Sequence, residues 1–132
     1  MSPRIRTLTL VPLLCLPLVS SCIVAAAAGA GYLVSREVLP NDVYSAQVRV
    51  DVDDTWEATR ETLGYMVDPG NEVTTTSSPR VAKAKVDGAD VTVTVEAYDL
   101  DRTTITVAAE RPLRHDGATA NEVLNAVLDH LD

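Results

Sequence analysis

The chain has no phenylalanine, one tryptophan and four tyrosines among its 132 residues, so any core it builds must be filled by Val, Ala, Leu and Ile. Its two cysteines, Cys15 and Cys22, both fall in the first 22 residues. Nothing after Cys22 can therefore form a disulfide, a redox pair or a thiolate metal site. Positive charge is also scarce: 11 Lys and Arg stand against 19 Asp and Glu, a net charge of −8. Phosphates and anionic headgroups are held by clustered Lys and Arg, so neither nucleic acid nor an anionic lipid surface is an expected partner. A His-Glu-x-x-His run, a Gly-flanked serine elbow and a Gly-rich phosphate loop are all missing. No enzyme, cofactor or metal is expected.

What is present begins at the N-terminus. Met1 to Arg6 carries Arg4 and Arg6 without an acid, and Leu8 to Val19 is apolar, interrupted by Pro12 and Pro17. A positive start and a short apolar run make a secretory signal peptide, here residues 1–21. Small residues, Val19, Ser20 and Ser21, then precede Cys22. This Leu-Val-Ser-Ser-Cys stretch resembles the lipobox of bacterial lipoproteins. The resemblance implies that Cys22 receives a diacylglyceryl group, that cleavage precedes it, and that its new amino group is acylated too, palmitate being a typical chain. Each buried methylene contributes about 0.8 kcal/mol of membrane affinity and one chain binds only marginally, so two or three chains hold firmly. The competing reading is a spanning helix, because no charge occurs from Thr7 to Ser35. Two prolines within the apolar run oppose it, since proline costs about 3 kcal/mol inside a helix.

Removal of the signal takes only Arg4 and Arg6, leaving nine basic and 19 acidic residues, a net charge of −10. Residues 22–42 read as an acylated Cys and a Gly/Ala-rich tether, IVAAAAGAGYLV over Ile23 to Val34, with Pro40 and Asn41 ending it. Residues 43–132 read as one domain. Tyr44 to Val52 alternates apolar and polar residues, a half-buried strand. Asp54 and Glu57 have the spacing of a capping box, and Trp56, Thr59, Leu63 and Met66 form one inward helical stripe. Glu72 to Ser77, Val81 to Val86, Val91 to Tyr98 and Thr103 to Ala109 are β-branched strands. The connections between them are short enough to require antiparallel neighbours.

Pairing Val86 with Val91 is the expected register of one hairpin, with a four-residue Asp87 to Asp90 loop. Pairing Val95 with Ile105 and Val93 with Val107 is expected for the next, with a loop of three or five residues, because a one-residue slip exchanges core for solvent. Glu110 to Gly117 reads as a polar connection. Thr119 with Glu122 repeats the capping-box spacing, and Ala120, Leu124, Val127 and Leu131 form the inward stripe of a closing helix. The order is β-α-β-β-β-β-α, an α+β two-layer sandwich with both helices on one face of an antiparallel sheet.

With that order in view, the chain resembles a family of small bacterial lipoproteins catalogued as a domain of unknown function. The matching positions are Cys22, Gly29, Gly31, Tyr32, Trp56, Ala58, Leu63 and Gly64, Asp87-Gly88 before Val91, and the stripe Val123 to Leu131. The resemblance covers nearly all of the chain after Cys22. It implies an envelope location and carries no catalytic residue. Where members have a glycine after the last strand, Glu110-Arg111-Pro112 stands here. Ile23, not Asp, follows Cys22, which in Gram-negative sorting implies the periplasmic face of the outer membrane.

The remaining candidates each have an ordinary explanation. Asp51, Asp53 and Asp54, or Asp99 and Asp101, could supply part of a calcium shell, yet no calcium-loop spacing surrounds them. Helix capping and turn propensity explain them as well. His115 sits in a loop, and His130 in a last helical turn where an imidazole suits the dipole. Trp56 reads as core. The face of Lys83, Lys85, Thr92, Thr94, Glu96, Thr104 and Thr106 reads as solvated sheet or a docking surface. The function expected is a non-catalytic interaction module, anchored through acyl chains on Cys22 and contacting another envelope protein. The alternative is a lipoprotein that holds a small apolar ligand or lipid beneath the closing helix, where Ala82, Ala84, Ala97 and Ala109 leave room.

Overall fold

The computed structural model describes residues 32–132. The signal peptide, Cys22 and the tether before Tyr32 lie outside the described residues. Leu33–Leu39 forms β1 and Val43–Val48 forms β2, joined by a short 3-10 turn at Pro40–Asp42. β1 pairs with β2 from Leu33↔Val48 to Leu39↔Val43, so residues 33–39, expected as part of the tether, belong to the sheet. β1 is exposed at most positions on both faces, and an edge strand of that kind has no buried period to betray it.

β2 stops at Val48, short of the expected Val52, because Asp51 turns the chain into α1, Val52–Met66. The Asp51 carboxylate accepts from the backbone N–H groups of Asp53 and Asp54 at 3.0 and 2.9 Å, so the cap is Asp51 and not Asp54. α1 buries Thr55, Ala58, Thr59, Thr62 and Leu63, with Trp56 and Met66 half-buried against the core. The buried hydroxyls of Thr55 and Thr59 donate to the carbonyls of Asp51 and Thr55, each at 2.8 Å. They thereby escape the penalty of an unmade hydrogen bond.

Five further strands follow: β3 Thr74–Ser77, β4 Arg80–Val86, β5 Ala89–Ala97, β6 Thr103–Arg111 and the short β7 Arg114–His115. The seven-stranded antiparallel sheet runs β1-β2-β6-β5-β4-β3, with β7 on β6. The β4–β5 register differs from expectation by two residues: Val86 pairs with Ala89, Ala84 with Val91 and Ala82 with Val93. The loop is Asp87-Gly88 alone, with φ of 48° and 76°, and positive φ at both central residues defines the type I′ hairpin that Asp-Gly favours. A shift of two preserves the faces, so the alanines and valines stay inward. The β5–β6 register is as expected, Val95↔Ile105 and Val93↔Val107. Tyr98 N–H donates to Arg102 O at 2.9 Å and closes the loop around Asp99 to Asp101.

The polar connection expected over Glu110 to Gly117 is instead a second tight hairpin, β6 to β7 through Pro112-Leu113. α2, Gly117–His130, is capped by Asp116 and not by Thr119, whose N–H and hydroxyl donate to the Asp116 carboxylate at 3.1 and 2.8 Å. Gly117 is required where α2 begins, since a Cβ there would stand 2.9 Å from Asp42 Cβ. α2 buries Ala120, Val123, Leu124, Val127 and Leu128. Both helices lie on one face of the sheet, in the α+β two-layer arrangement expected, and the core sits between Val48, Val91, Val93, Ile105 and Val107 below and Leu63, Val123, Leu124 and Val127 above. Leu63 is fully buried in the last turn of α1. Leu63→Ala is expected to lower unfolding stability by about 2–5 kcal/mol, read as a lower urea midpoint at unchanged slope.

Candidate functional site

Strand pairing divides the domain into two ends. Tyr32, the end of β2, the start of β6 and the Tyr98 to Arg102 loop share one end. Pro40–Asp42, Asp87-Gly88 and Pro112-Leu113 share the other. At the first end the Tyr32 carbonyl accepts from Arg49 N–H at 2.6 Å, and its hydroxyl donates to the Leu128 carbonyl. Burial, with the negative charges of Asp132 and Asp129, raises the Tyr32 pKa, which keeps that phenol a donor. Cys22 itself lies outside the described residues, ten positions upstream.

Three of the acidic residues at this end, Asp51, Asp53 and Asp99, have structural tasks. Asp51 caps α1, and Asp53 pairs with Arg80. The side-chain hydrogen bond with Asp51, then the charge of Asp51, raises the Asp54 pKa, while the backbone N–H of Asp54 lowers that of Asp51. Asp99 accepts from Asp101 N–H at 2.9 Å and from Arg102 Nε at 2.7 Å, and the Arg102 hydrogen bond lowers its pKa. Arg102 also lies 4.6 Å over the Tyr98 ring. Among the described residues, no group of three or more His, Cys, Asp or Glu is placed to hold a metal ion.

The two histidines are held apart. His115, on β7, faces Glu110 at 3.6 Å, and His130, the last residue of α2, meets Glu61 of α1 at 2.8 Å. A helix rising 1.5 Å per residue sets them about 20 Å apart along α2, too far to share a reaction. Trp56 packs against the core with the Arg60 guanidinium 5.9 Å from its ring.

The structure does bring the expected polar face together. Lys83 pairs with Thr92, Thr94 with Thr106 and Glu96 with Thr104, so these side chains share the sheet face away from the helices. Lys85 stands against Asp90, 3.4 Å away. Beside the edge strand β3 a cleft of about 340 Å³ opens, lined by Thr74, Thr75, Thr76, Val81 and Lys83. A second open cleft, about 310 Å³, lies between α1 and the end of α2, lined by Val50, Asp54, Glu57, Ala58, Glu61, His130 and Leu131. Neither lies beneath α2, where Ala82 and Ala109 are buried in the core and Ala97 is exposed at a strand end.

The opposite end is braced by groups that sequence patterning passes over. Asp68 accepts from the N–H groups of Asp87 and Gly88 at 2.7 and 2.8 Å. Arg111 donates to the Asp87 carbonyl at 2.7 Å and to the Asp116 carboxylate at 2.5 Å, tying the β4–β5 turn to the start of α2. The Asp-Gly pair and the aspartate three residues before Thr119 were the available signals. Arg111 had none, because its partners are 24 and five residues away.

No protein-family model and no curated protein matches the chain. No helix of the described residues is long and apolar enough to cross a membrane.

Asp116 has the largest effect of pH within this bracing. The Thr119 N–H and hydroxyl, then Arg111, lower its pKa from 3.8 to about 2. Its folded pKa lies below its unfolded value, so its contribution is complete above about pH 4 and is lost as pH falls through about 2. Asp116→Ala is expected to remove about 1 kcal/mol at pH 7 and to flatten the acid limb of a stability-against-pH curve measured by urea unfolding.

Proposed function

We propose that this chain is a non-catalytic lipoprotein of the bacterial cell envelope, anchored through acyl chains on Cys22, whose domain contacts another envelope protein. The observation that carries the reading is the Leu-Val-Ser-Ser-Cys stretch ending at Cys22, after Arg4, Arg6 and a short apolar run. The placement of Tyr32 supports it. That residue is bonded to Arg49, just after β2, and to α2, ten positions after Cys22, which leaves a short span between anchor and fold. Likeness to the small lipoprotein family of unknown function points the same way. In a host with two membranes, Ile23 after Cys22 favours the periplasmic face of the outer membrane. The contact surface proposed is the open Thr and Lys face around Lys83 and Lys85, since no helix covers it.

The test labels cells with a palmitate analogue. Label is expected on the wild-type chain, and Cys22→Ala is expected to lose it and to accumulate as a slower-migrating precursor. A Cys22→Ala chain that remains membrane-bound at unchanged mobility, in a protein that never takes label, would replace the anchor with a spanning segment. Crosslinking in intact cells, with Lys83→Glu and Lys85→Glu together as the control, then reads the contact surface. One envelope protein recovered in near-equal amount and lost in the control supports it.

A further inference from the structure

We propose that copies of this chain associate head to tail, with Leu113 and Arg114 of one copy seated in the cleft between α1 and the end of α2 of the next. Leu113 is fully exposed at the tip of the β6–β7 hairpin. A single exposed leucine is ordinary on a protein surface. The backbone sets this one apart: its φ is 67°, the left-handed region, which is unfavourable for a bulky residue. Pro112 before it has φ fixed near −65° by its ring, roughly. That sequence of angles suits a turn whose third position normally holds glycine. Arg111, next along, is hydrogen-bonded on both sides. The tip is therefore a rigid mount that displays an apolar side chain where glycine would relieve strain.

Arg114 sits beside it, exposed, its backbone paired with Arg111 and its guanidinium without an ion-pair partner among the described residues. Within Arg-Pro-Leu-Arg-His at 111–115, Arg111 already meets Asp116 and Asp87 and His115 faces Glu110, so Arg114 is the cation left to meet a partner. A partner for this tip needs carboxylates to meet Arg114 and some apolar surface beside them for Leu113.

The same chain supplies one. The cleft of about 310 Å³ has Val50, Ala58 and Leu131 for apolar lining and Asp54, Glu57 and Glu61 for acids. Glu61 is engaged by His130 at 2.8 Å, which leaves Asp54 and Glu57 to receive a guanidinium. Asp54 is already crowded by Asp51, with which it shares a hydrogen bond, and by Glu57 and Asp53, so an arriving cation relieves repulsion there. A guanidinium accepts two carboxylates or one in bidentate fashion.

Tip and cleft cannot meet within one molecule. The cleft includes Val50 and the first turn of α1, at the Tyr32 end, whereas Leu113 follows the far end of β6. Nine residues of strand at ~3.3 Å each separate the two ends by about 30 Å. Because the two patches differ, the contact is heterologous, and it either chains copies together or closes into a ring. It holds whether or not Cys22 is acylated, so its failure leaves the anchoring proposal standing.

The test is sedimentation velocity on the full-length chain in a mild detergent. A patch this small gives weak association, so the range to scan is roughly 10 μM to 1 mM. The mean mass of the wild type is expected to rise with concentration. Leu113→Gly is expected to abolish the rise while holding or raising the thermal midpoint, which separates a lost contact from a lost fold. Arg114→Glu abolishes it as well. Glu57→Arg alone is monomeric, and mixing it with Leu113→Gly restores one intact tip and one intact cleft, giving dimers and nothing longer. A wild type that stays monomeric throughout, an association that Leu113→Gly and Arg114→Glu leave intact, or a mixture that fails to dimerise overturns the proposal.

Discussion

Close approach of two helices to a sheet of small side chains is the constraint on which the rest depends. Without phenylalanine the core cannot be filled by large rings, so the layers must come near enough for Val, Leu and Ala to touch. Ala46, Ala82, Ala84, Ala109 and Ala120 are all buried where the layers meet, and each lets a backbone lie nearer its neighbour than a larger residue would permit. Dispersion falls off steeply with separation, and a radial gap of even 0.5–1 Å forfeits roughly a quarter to a half of the attraction, so this arrangement tolerates little slack. Ala82, Ala84 and Ala109, which could have left room for an apolar ligand, are buried where helix meets sheet, while Ala97 is exposed. Chemistry is thereby displaced to the surface: the open sheet face, the clefts at its margins and the turns at its ends.

Those turns differ in how they are held. At the Tyr32 end local bonds, Asp51 on its own helix and Asp99 with Arg102 on its own loop, sit beside longer ones from Tyr32 to Leu128 and from Asp53 to Arg80. At the opposite end the bonds cross between elements. Asp68 follows α1 yet holds the β4–β5 turn, and Arg111 joins that turn to the cap of α2. Asn41, Asp42, Asp87 and Leu113, the non-glycine residues with positive φ among those described, all lie at this braced end. Strain of that kind persists only where surrounding contacts over-determine the backbone, and here they do.

Strict alternation carried the sheet. Val91-Thr92-Val93-Thr94-Val95 and Thr104-Ile105-Thr106-Val107 have one buried face and one solvated face, so strand, face and β5–β6 register could be read from residues alone. Where burial is absent, reading fails. β1 exposes both faces, and its Arg36 reaches Asn121 and Asn125 of α2, contacts 85 and 89 residues away that no local pattern encodes. The caps moved for a related reason: Asp51 and Asp116 outcompete Asp54 and Thr119 because each reaches the free N–H groups of the first turn from outside it. The β4–β5 register slipped by two because Asp-Gly closes a tighter turn than a four-residue loop, a difference that leaves the hydrophobic pattern unchanged. On the functional side, the polar face followed from alternation, while the Leu113 tip and the acid-rimmed cleft depend on three-dimensional neighbours. Cys22 is the converse, a feature carried wholly by sequence.

A strongly acidic domain seems at first a poor partner for itself, since copies at a net charge of −8 repel. Net charge, however, governs only what is felt across solvent, and at physiological salt that field decays over about 8 Å. Inside contact distance the sign of the local groups decides. Arg114 at one end and Asp54 with Glu57 at the other are opposite in sign and face away from each other within a single molecule. Long-range repulsion then has its own effect: it lowers the rate of encounter and penalises every arrangement except the one that joins unlike ends. An acidic surface with one free arginine at a turn tip and one acid-lined cleft therefore selects a direction of assembly, tip to cleft, that a neutral surface of the same shape would leave unspecified.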